Sequence, residues 1–448
     1  MAFDQRFLLD EMKEQYLACD NNRPWIVAFS GGKDSTTLLQ LLWYALQEID
    51  STDRKRQVYI ICNNTLVENP SVLKFVEEQL SAIQKAATDQ GMPFIVDQTR
   101  PRVEDSFWVN LIGKGYPAPN NMFRWCTERL KINPTTRYIQ EKISDFGEVI
   151  ILMGTRSAES SNRAKSIKKY EVKGQRLRNH VLPNAKTFPV IKDMTTEEVW
   201  IYLQSVKNPW TGRKNRKLIT LYRNGSGGDC PLVLDKSTPS CGNSRFGCWV
   251  CTVVKRDKSM EALIDNGEDW MIPLMEIRDF LSETIDRESD TYDPEKYRMP
   301  IRRNKADGLG PYWPKWRKHV LTEVLKAQRL AQQEDPDIEL ISYQELVAIQ
   351  VIWHRDYIYE YDVSDIFNEV YENKKSFKDQ NVNLKREREL LKEVCIDNPE
   401  DVKLINNLLK AQKNKMLLVK KQGLQTDLED LLQEYVNPTF TKLDNYSA

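Results

Sequence analysis

A run of glycines, hydroxyl side chains and one lysine lies near the start of the sequence. Residues 30–35 read Ser-Gly-Gly-Lys-Asp-Ser, between an apolar run and a stretch with helical periodicity. Glycine lets the backbone approach phosphate oxygens, the first amides of a helix favour an anion, and Lys33 adds a positive charge. The segment therefore predicts a phosphate-binding loop. It is not a Walker A motif, because Val27 stands where that motif requires glycine.

A second candidate for chemistry is Cys126, which lies between charged residues. Arg124, Arg129 and Lys131 are all within five positions of it. A lone cysteine is more often a small buried apolar residue, but nearby positive charge favours the thiolate, which is the nucleophilic form. The charged flanks predict that Cys126 is a reactive thiol.

Four further cysteines crowd into 22 residues, with the spacing C-x10-C-x6-C-x2-C. They are Cys230, Cys241, Cys248 and Cys251. Four thiolates accept either structural zinc or a 4Fe-4S cluster, so the spacing alone leaves both open. Zinc sites of this type usually have two close cysteine pairs, and the single close pair here favours iron and sulfur over zinc.

The elements that must position these residues follow from periodicity. Short β-branched runs at residues 25–29, 58–62, 94–96 and 149–153 predict strands, and residues 36–49, 72–87 and 195–204 predict helices. Thr195 with Glu198 and Ser342 with Glu345 have the spacing of capping boxes. The alternation predicts an α/β fold with a doubly wound parallel sheet, a cysteine-rich insertion and a helical C-terminal region.

Length, composition and charge limit the possible classes of protein. The chain has 448 residues and 65 cationic against 65 acidic side chains, so a globally basic nucleic-acid binder is excluded. We predict three regions: a nucleotide-binding domain over 1–205, a cysteine-rich region over 206–260 and a mainly helical region over 261–448. The apolar runs are too short to cross a membrane, and eight cysteines are too few for a disulfide scaffold. We expect a cytoplasmic protein without membrane partners.

Although the net charge of the chain is zero, the sequence contains a basic tract. Residues 156–186 hold nine cationic side chains against two carboxylates. The cations are Arg156, Arg163, Lys165, Lys168, Lys169, Lys173, Arg176, Arg178 and Lys186, and the tract continues with Arg213, Lys214, Arg216, Lys217 and Arg223. Charge of one sign beside a phosphate loop favours nucleic-acid binding, although such runs are often only solvated surface.

The loop and three later segments together resemble the phosphoadenylylsulfate reductase-like branch of the ATP pyrophosphatase superfamily. These segments are residues 64–69, 154–160 and 188–191. The resemblance implies cleavage of ATP between the α and β phosphates, transfer of AMP to a substrate oxygen and release of pyrophosphate. It implies nucleotide contacts from Ser30, Gly31, Gly32, Lys33, Asp34, Ser35, Gly154 and Arg156. Mg²⁺ would accompany the triphosphate, and Arg156 would balance phosphate charge.

The whole set of motifs resembles a narrower family. The sequence is similar to the DndC sulfurtransferases of bacterial DNA phosphorothioation and to the related SspD subunits. The similarity lies in the Arg-Trp-Cys-Thr segment at Cys126, the cysteine spacing, residues 308–312 and residues 349–353. The resemblance implies that sulfur replaces a non-bridging oxygen of a DNA phosphate and that Cys126 carries it as a persulfide. Lys33, Asp34 and Arg156 would complete the catalytic set. Asn63 and Asn64 depart from the superfamily, which often has an acidic residue there.

The same resemblance implies a 4Fe-4S cluster on Cys230, Cys241, Cys248 and Cys251. The implied partners are DNA, a cysteine desulfurase as sulfur donor and other phosphorothioation subunits. Two alternatives remain open on the sequence. One is a tRNA thiolase, which also combines a pyrophosphate loop, a catalytic cysteine and a cluster. The other is a zinc-stabilised DNA-binding scaffold without enzymatic activity. His180, His319 and His354 form no recognisable constellation.

Overall fold

The structure is a computed structural model. It describes residues 4–18, 23–159, 169–171, 175–224, 247–286, 293–300, 309–356, 358, 361–372, 382–416 and 424–436. The chain divides into two compact units, the first formed by residues 1–107, 118–292 and 330–338 and the second by residues 108–117, 293–329 and 339–448. The first unit contains the sheet and the described parts of the predicted cysteine-rich region. The three-part division predicted from the sequence therefore stays a prediction.

The first unit is built on a six-stranded sheet with the order β3-β2-β1-β4-β6-β5. The strands are β1 (Trp25–Ala28), β2 (Val58–Asn63), β3 (Phe94–Thr99), β4 (Val149–Met153), β5 (Arg178–Asn179) and β6 (Ala185–Phe188). All neighbours are parallel except β5 and β6. The strand order reverses between β1 and β4, and ligands of open α/β sheets bind at the carboxyl ends of strands at such a point.

Helices cover both faces of this sheet. On one face lie α1 (Gln5–Leu17), α2 (Lys33–Gln47), α3 (Pro70–Asp89), α5 (Thr196–Ser205) and α6 (Arg216–Asn224), and on the other lies α4 (Asn133–Phe146). The first unit also contains α7 (Lys258–Asp265) and α8 (Ile272–Glu283). The fold class and the four strands predicted from the sequence are confirmed. Helix α2 begins three residues earlier than predicted, because Gly32 in extended conformation already serves as its N-cap.

The core follows from alternation along the strands. Trp25 and Val27 of β1 pack into one apolar cluster, whereas Ile26 between them packs into the cluster on the opposite face. In the first cluster the rings of Trp43 and Phe94 stack with centroids 4.7 Å apart. The predicted capping box at Thr195 is present and fixes the start of α5.

The second unit contains a hairpin and most of the remaining helices. The hairpin is β7 (Arg298–Pro300) with β8 (Leu309–Tyr312), and the helices are α9 (Pro294–Tyr297), α11 (Tyr343–Arg355), α12 (Val363–Tyr371), α13 (Val382–Val394), α14 (Pro399–Met416) and α15 (Leu424–Val436). Helix α10 (Pro314–Glu334) contributes residues to both units. The capping box at Ser342 is present, and the helical C-terminal region is confirmed.

Buried polar contacts fix the second unit. The indole of Trp353 donates to the Ile112 carbonyl over 3.0 Å, and the indole of Trp108 donates to the Leu340 carbonyl over 2.7 Å. Among the helices of the described residues, none has the length and apolarity needed to cross a bilayer.

Ile60 in β2 is fully buried and provides a test of this core. We expect Ile60→Ala to lower the free energy of unfolding by about 2–5 kcal/mol, because it removes buried methylene groups and leaves a cavity. Chemical denaturation followed by tryptophan fluorescence measures the effect. Ile201→Ala is the matched control, since that side chain on α5 is 51% exposed. Equal losses in the two variants would contradict the assignment of the core.

Candidate nucleotide and thiol site

The phosphate loop, residues 30–35, connects β1 to α2 at the carboxyl edge of the sheet. Gly31 has φ +71°, and a Cβ there would lie 2.5 Å from Cγ2 of Val76, so the turn requires glycine. The hydroxyl of Ser35 donates to the Gly32 carbonyl and accepts from the Ser30 amide. These bonds hold the loop around the first turn of α2, where amides and helix dipole favour an anion.

Asp34 in the loop is held by two cations. Its carboxylate oxygens lie 3.0 Å from Nζ of Lys33 and 2.7 Å from Nε of Arg156. Arg156 is only 1% exposed, and its other nitrogens donate to the Met194 carbonyl and to the hydroxyl of Thr196. The structure thus places Arg156 as a link between the loop and the start of α5. Its direct contact with a nucleotide stays a prediction.

Gly154, at the end of β4, lies against the backbone of the loop. A Cβ at this position would be 2.9 Å from the carbonyl of Asp34 and 2.9 Å from the amide nitrogen of Ser35. Real Cβ atoms do not approach backbone this closely. The glycine therefore allows β4 and the phosphate loop to meet at the point where the strand order reverses.

Tyr222 of α6 also contacts the loop, although no motif in the sequence points to it. Its hydroxyl accepts the amide hydrogen of Lys33 over 3.2 Å, and the Lys33 ammonium lies 5.8 Å from the ring centroid. Burial raises the pKa of Tyr222 to about 12, so the hydroxyl is protonated at neutral pH. The residue is 189 positions from Lys33, and its sequence carries only the signal of an apolar helix face.

Cys248 and Cys251 are attached to the segment that follows β2. The Trp249 amide donates to the Val67 carbonyl over 3.0 Å, and Glu68 and Cys248 form an isolated antiparallel bridge. Sγ of Cys248 lies 3.4 Å from the hydroxyl of Thr65. This close cysteine pair is therefore fixed to the strand that neighbours β1.

Cys126 lies directly before a π-helical segment, Thr127–Ile132, a helix type common at functional sites. The Asn63 side chain at the end of β2 donates to the Leu130 carbonyl over 2.9 Å and accepts from Thr99. The hydroxyl of Thr252 donates to the Pro119 carbonyl, which joins the cysteine pair to the segment preceding Cys126. The asparagine that departs from the superfamily pattern thus anchors the Cys126 segment to the sheet.

The electrostatics of the thiols differ from the sequence-based expectation. Burial, with a smaller contribution from Cys251, raises the pKa of the Cys126 thiol, while Thr127 and Lys131 act in the opposite direction. Lys131 favours the thiolate, as the flanking charge predicts, but burial outweighs it and the net pKa is raised. Cys248 is the largest cause of a raised pKa of Lys131, to which Glu68, Cys251 and Cys126 also contribute. Lys131 therefore interacts electrostatically with all three thiols.

Cys230 and Cys241 lie outside the described residues, so the predicted set of four is described only in part. Cys248 and Cys251 fit one half of it, because both present half-buried thiols and the Cys251 amide donates to the Cys248 carbonyl over 3.1 Å. Within the ranges that the structure describes, no three His, Cys, Asp or Glu side chains are placed to hold a metal ion. The donor set accepts iron or zinc.

Several described members of the basic tract pair with carboxylates. Arg176 pairs with Glu11 and Glu14, Arg178 pairs with Glu171, and Lys217 pairs with Glu78. Arg163, Lys165, Lys168 and Lys173 lie outside the described residues. The role of this tract in nucleic-acid binding stays a prediction.

The fold and site define an α/β protein with a glycine-rich loop after β1 and with thiols on segments attached to the end of the neighbouring strand, β2. Residues 24–254, just over half of the chain, match the phosphoadenosine phosphosulfate reductase domain. The chain belongs to this family. An uncharacterized protein of Methanocaldococcus jannaschii is 31% identical over 234 residues, which cover 52% of this chain and 37% of that protein. The chain thus matches little more than a third of its relative.

Two solved structures are similar at low identity. The phosphoadenylyl-sulfate reductase of Candida auris is 11% identical over 49% of this chain and 92% of its own, with a TM-score of 0.29. The U34-tRNA thiolase NcsA of Methanococcus maripaludis, with its 4Fe-4S cluster, is 15% identical over 63% of this chain and 80% of its own, with a TM-score of 0.27.

Gly154→Ala tests the contact between β4 and the phosphate loop. The added methyl group must displace the Asp34–Ser35 backbone, so we expect ATP to bind at least about tenfold more weakly, a loss of about 1.4 kcal/mol. Titration calorimetry measures the affinity. Gly247→Ala is the control, because no atom of the described residues lies within 4 Å of a Cβ built there. Unchanged ATP affinity in Gly154→Ala would contradict a nucleotide site at this loop.

Proposed function

We propose that the protein is an ATP-dependent sulfurtransferase that places sulfur on a phosphate of DNA. One observation carries the proposal. Cys126, Cys248, Cys251 and Lys131 belong to segments that are anchored after β2, the strand next to β1 and its phosphate loop. These segments lie within a domain of the phosphoadenosine phosphosulfate reductase family. An adenylating site and a thiol site on one edge of a sheet suit activation of an oxygen followed by its replacement with sulfur.

The proposed reaction begins with adenylation. A non-bridging oxygen of the DNA phosphate attacks the α-phosphorus of ATP, the bond from that phosphorus to the oxygen bridging the β-phosphorus breaks, and pyrophosphate leaves. Lys33 and the loop amides bind the departing pyrophosphate and stabilise its charge. Mg²⁺ enters with the triphosphate as part of the substrate. The product is a mixed anhydride of the DNA phosphate and AMP.

Sulfur transfer follows at Cys126. The terminal sulfur of a Cys126 persulfide, supplied by a cysteine desulfurase, attacks the activated phosphorus, and AMP leaves with the former DNA oxygen. A cellular thiol then attacks Sγ of Cys126, which breaks the S–S bond and releases the phosphorothioate. A second thiol reduces the resulting mixed disulfide and regenerates Cys126. Two thiols are oxidised to one disulfide in each cycle.

The cysteines at residues 230, 241, 248 and 251 are proposed to hold the 4Fe-4S cluster. Bound there, the cluster would supply a sulfur-rich, redox-capable group close to Cys126. Cys248 and Cys251 would hold it on the segment after β2.

We propose that DNA contacts the face around Cys126. Arg129 bonds to Asp105 over 3.0 Å and Trp125 stacks on Phe107, so residues 99–107 pack against residues 123–132. The exposed cations on these segments are Arg100, Arg102, Arg124 and Lys131, against exposed Glu104 and Glu128. A net positive face beside the transferring thiol attracts a phosphate backbone. Other phosphorothioation subunits would supply the choice of DNA sequence.

Two substitutions separate the two chemical steps. We expect Cys126→Ser and Lys33→Ala each to abolish phosphorothioate dinucleotides in cellular DNA, measured by mass spectrometry after nuclease digestion. In purified protein given ATP and DNA, Cys126→Ser retains pyrophosphate release, because adenylation precedes transfer, whereas Lys33→Ala loses it.

Cys395→Ala is the matched control, since Cys395 is a buried thiol of the second unit. Intact phosphorothioation in Cys126→Ser cells would contradict the carrier role. Loss of a thiolated nucleoside of tRNA, with DNA unchanged, would assign the same chemistry to a tRNA thiolase.

Cysteine substitution also identifies the metal. We expect anaerobically purified protein to be brown, and Cys248→Ser and Cys251→Ser to lose most of the visible absorbance and bound iron, because thiolates are the cluster ligands. Cys395→Ala is again the control and keeps both. Colourless protein with stoichiometric zinc would contradict the cluster and support the zinc-stabilised scaffold.

A further inference from the structure

The side chain of Tyr222 connects helix α6 to the phosphate loop. Its oxygen lies 3.2 Å from the Lys33 amide nitrogen and 3.3 Å from the position that a Cβ on Gly32 would take. The Lys33 ammonium lies 5.8 Å from the centre of the same ring. The phenol therefore touches the loop at the first turn of α2, where the proposed function places phosphate.

The ring is fixed from its other side by the core. Trp200 of α5 packs edge-on against Tyr222, with ring centroids 5.1 Å apart and an angle of 80° between the planes. Tyr222 is 8% exposed, so its hydroxyl reaches the loop from a buried ring that packs against Trp200. A polar group held this rigidly beside a helix N-terminus is preorganised for an anion and loses little entropy when it binds one.

A phenol combines two hydrogen-bonding roles. Its oxygen accepts a hydrogen, as it does here from Lys33, and its own hydrogen is a donor. Burial raises the pKa of Tyr222 to about 12, and the donor is therefore retained across the physiological range. A phosphate oxygen is acceptor-only and negatively charged, and this complements a hydroxyl donor next to an ammonium group.

We propose that Tyr222 is a phosphate-binding residue, whose hydroxyl donates to a phosphate oxygen held by the loop while its ring positions Lys33. The inference rests on the proposed use of ATP and is independent of the sulfur-transfer steps. It assigns α6, which the sequence analysis predicted only as part of a basic tract, a direct part in binding pyrophosphate.

Tyr222→Phe removes only the hydroxyl and keeps the ring against Trp200 and Lys33. We expect affinities for inorganic pyrophosphate and for ATP to fall by the same factor, about tenfold or more, since a hydrogen bond to a charged group is lost. Adenosine, which has no phosphate, keeps its affinity. Titration calorimetry with the three ligands measures this pattern, and thermal unfolding confirms that the variant is folded.

Tyr44→Phe is the matched control, because the Tyr44 hydroxyl bonds to the Lys207 carbonyl and not to the loop. Unchanged pyrophosphate affinity in Tyr222→Phe would overturn the inference. Tighter binding would overturn it too, since the hydroxyl would then compete with phosphate for the Lys33 amide. Equal weakening of adenosine would indicate a purely structural role. Failure of the wild-type protein to bind pyrophosphate would overturn the ATP site itself, whereas absent sulfur transfer alone leaves the inference standing.

Discussion

The site depends on a buried ion pair between Arg156 and Asp34. This contact joins the end of β4, the start of α5 and the phosphate loop through one guanidinium group that is almost completely shielded from water. Removal of the carboxylate opposite a buried cation typically costs about 3–5 kcal/mol, because the cation then stays buried without its counter-charge. Gly154 brings the end of β4 into close contact with the same loop. Loop, strand end and helix start therefore behave as one preorganised element.

The thiols illustrate a competition between burial and charge. Burial raises the pKa of Cys248 to about 12 and raises that of Cys126 as well, while Lys131 works against both. A thiol with a raised pKa stays protonated and weakly nucleophilic unless a positive charge or a metal stabilises its anion. Lys131 supplies one such charge. Metal on Cys248 and Cys251 would supply more, so ligand binding and thiol chemistry in this region are electrostatically connected.

Both the family match and the predicted site residues lie within residues 24–254. The second unit, with its hairpin and helices, contributes none of those site residues. Its described core is held by indole hydrogen bonds and by Arg317, which donates to the carbonyls of Tyr312 and Gly113.

The sequence by itself determined the sheet, the phosphate loop, both capping boxes and the cysteines as candidates, because each depends on residues close together along the chain. Short β-branched runs identified the strands, and Gly31 and Lys33 marked the loop locally. Only the tertiary structure decided that Tyr222 reaches Lys33, that Arg156 contacts Asp34, and that Asn63 anchors the Cys126 segment. It also decided that burial outweighs Lys131 in the pKa of the Cys126 thiol. These outcomes depend on which distant segments pack together and on how much water they exclude. The spacing of residues along the sequence specifies neither.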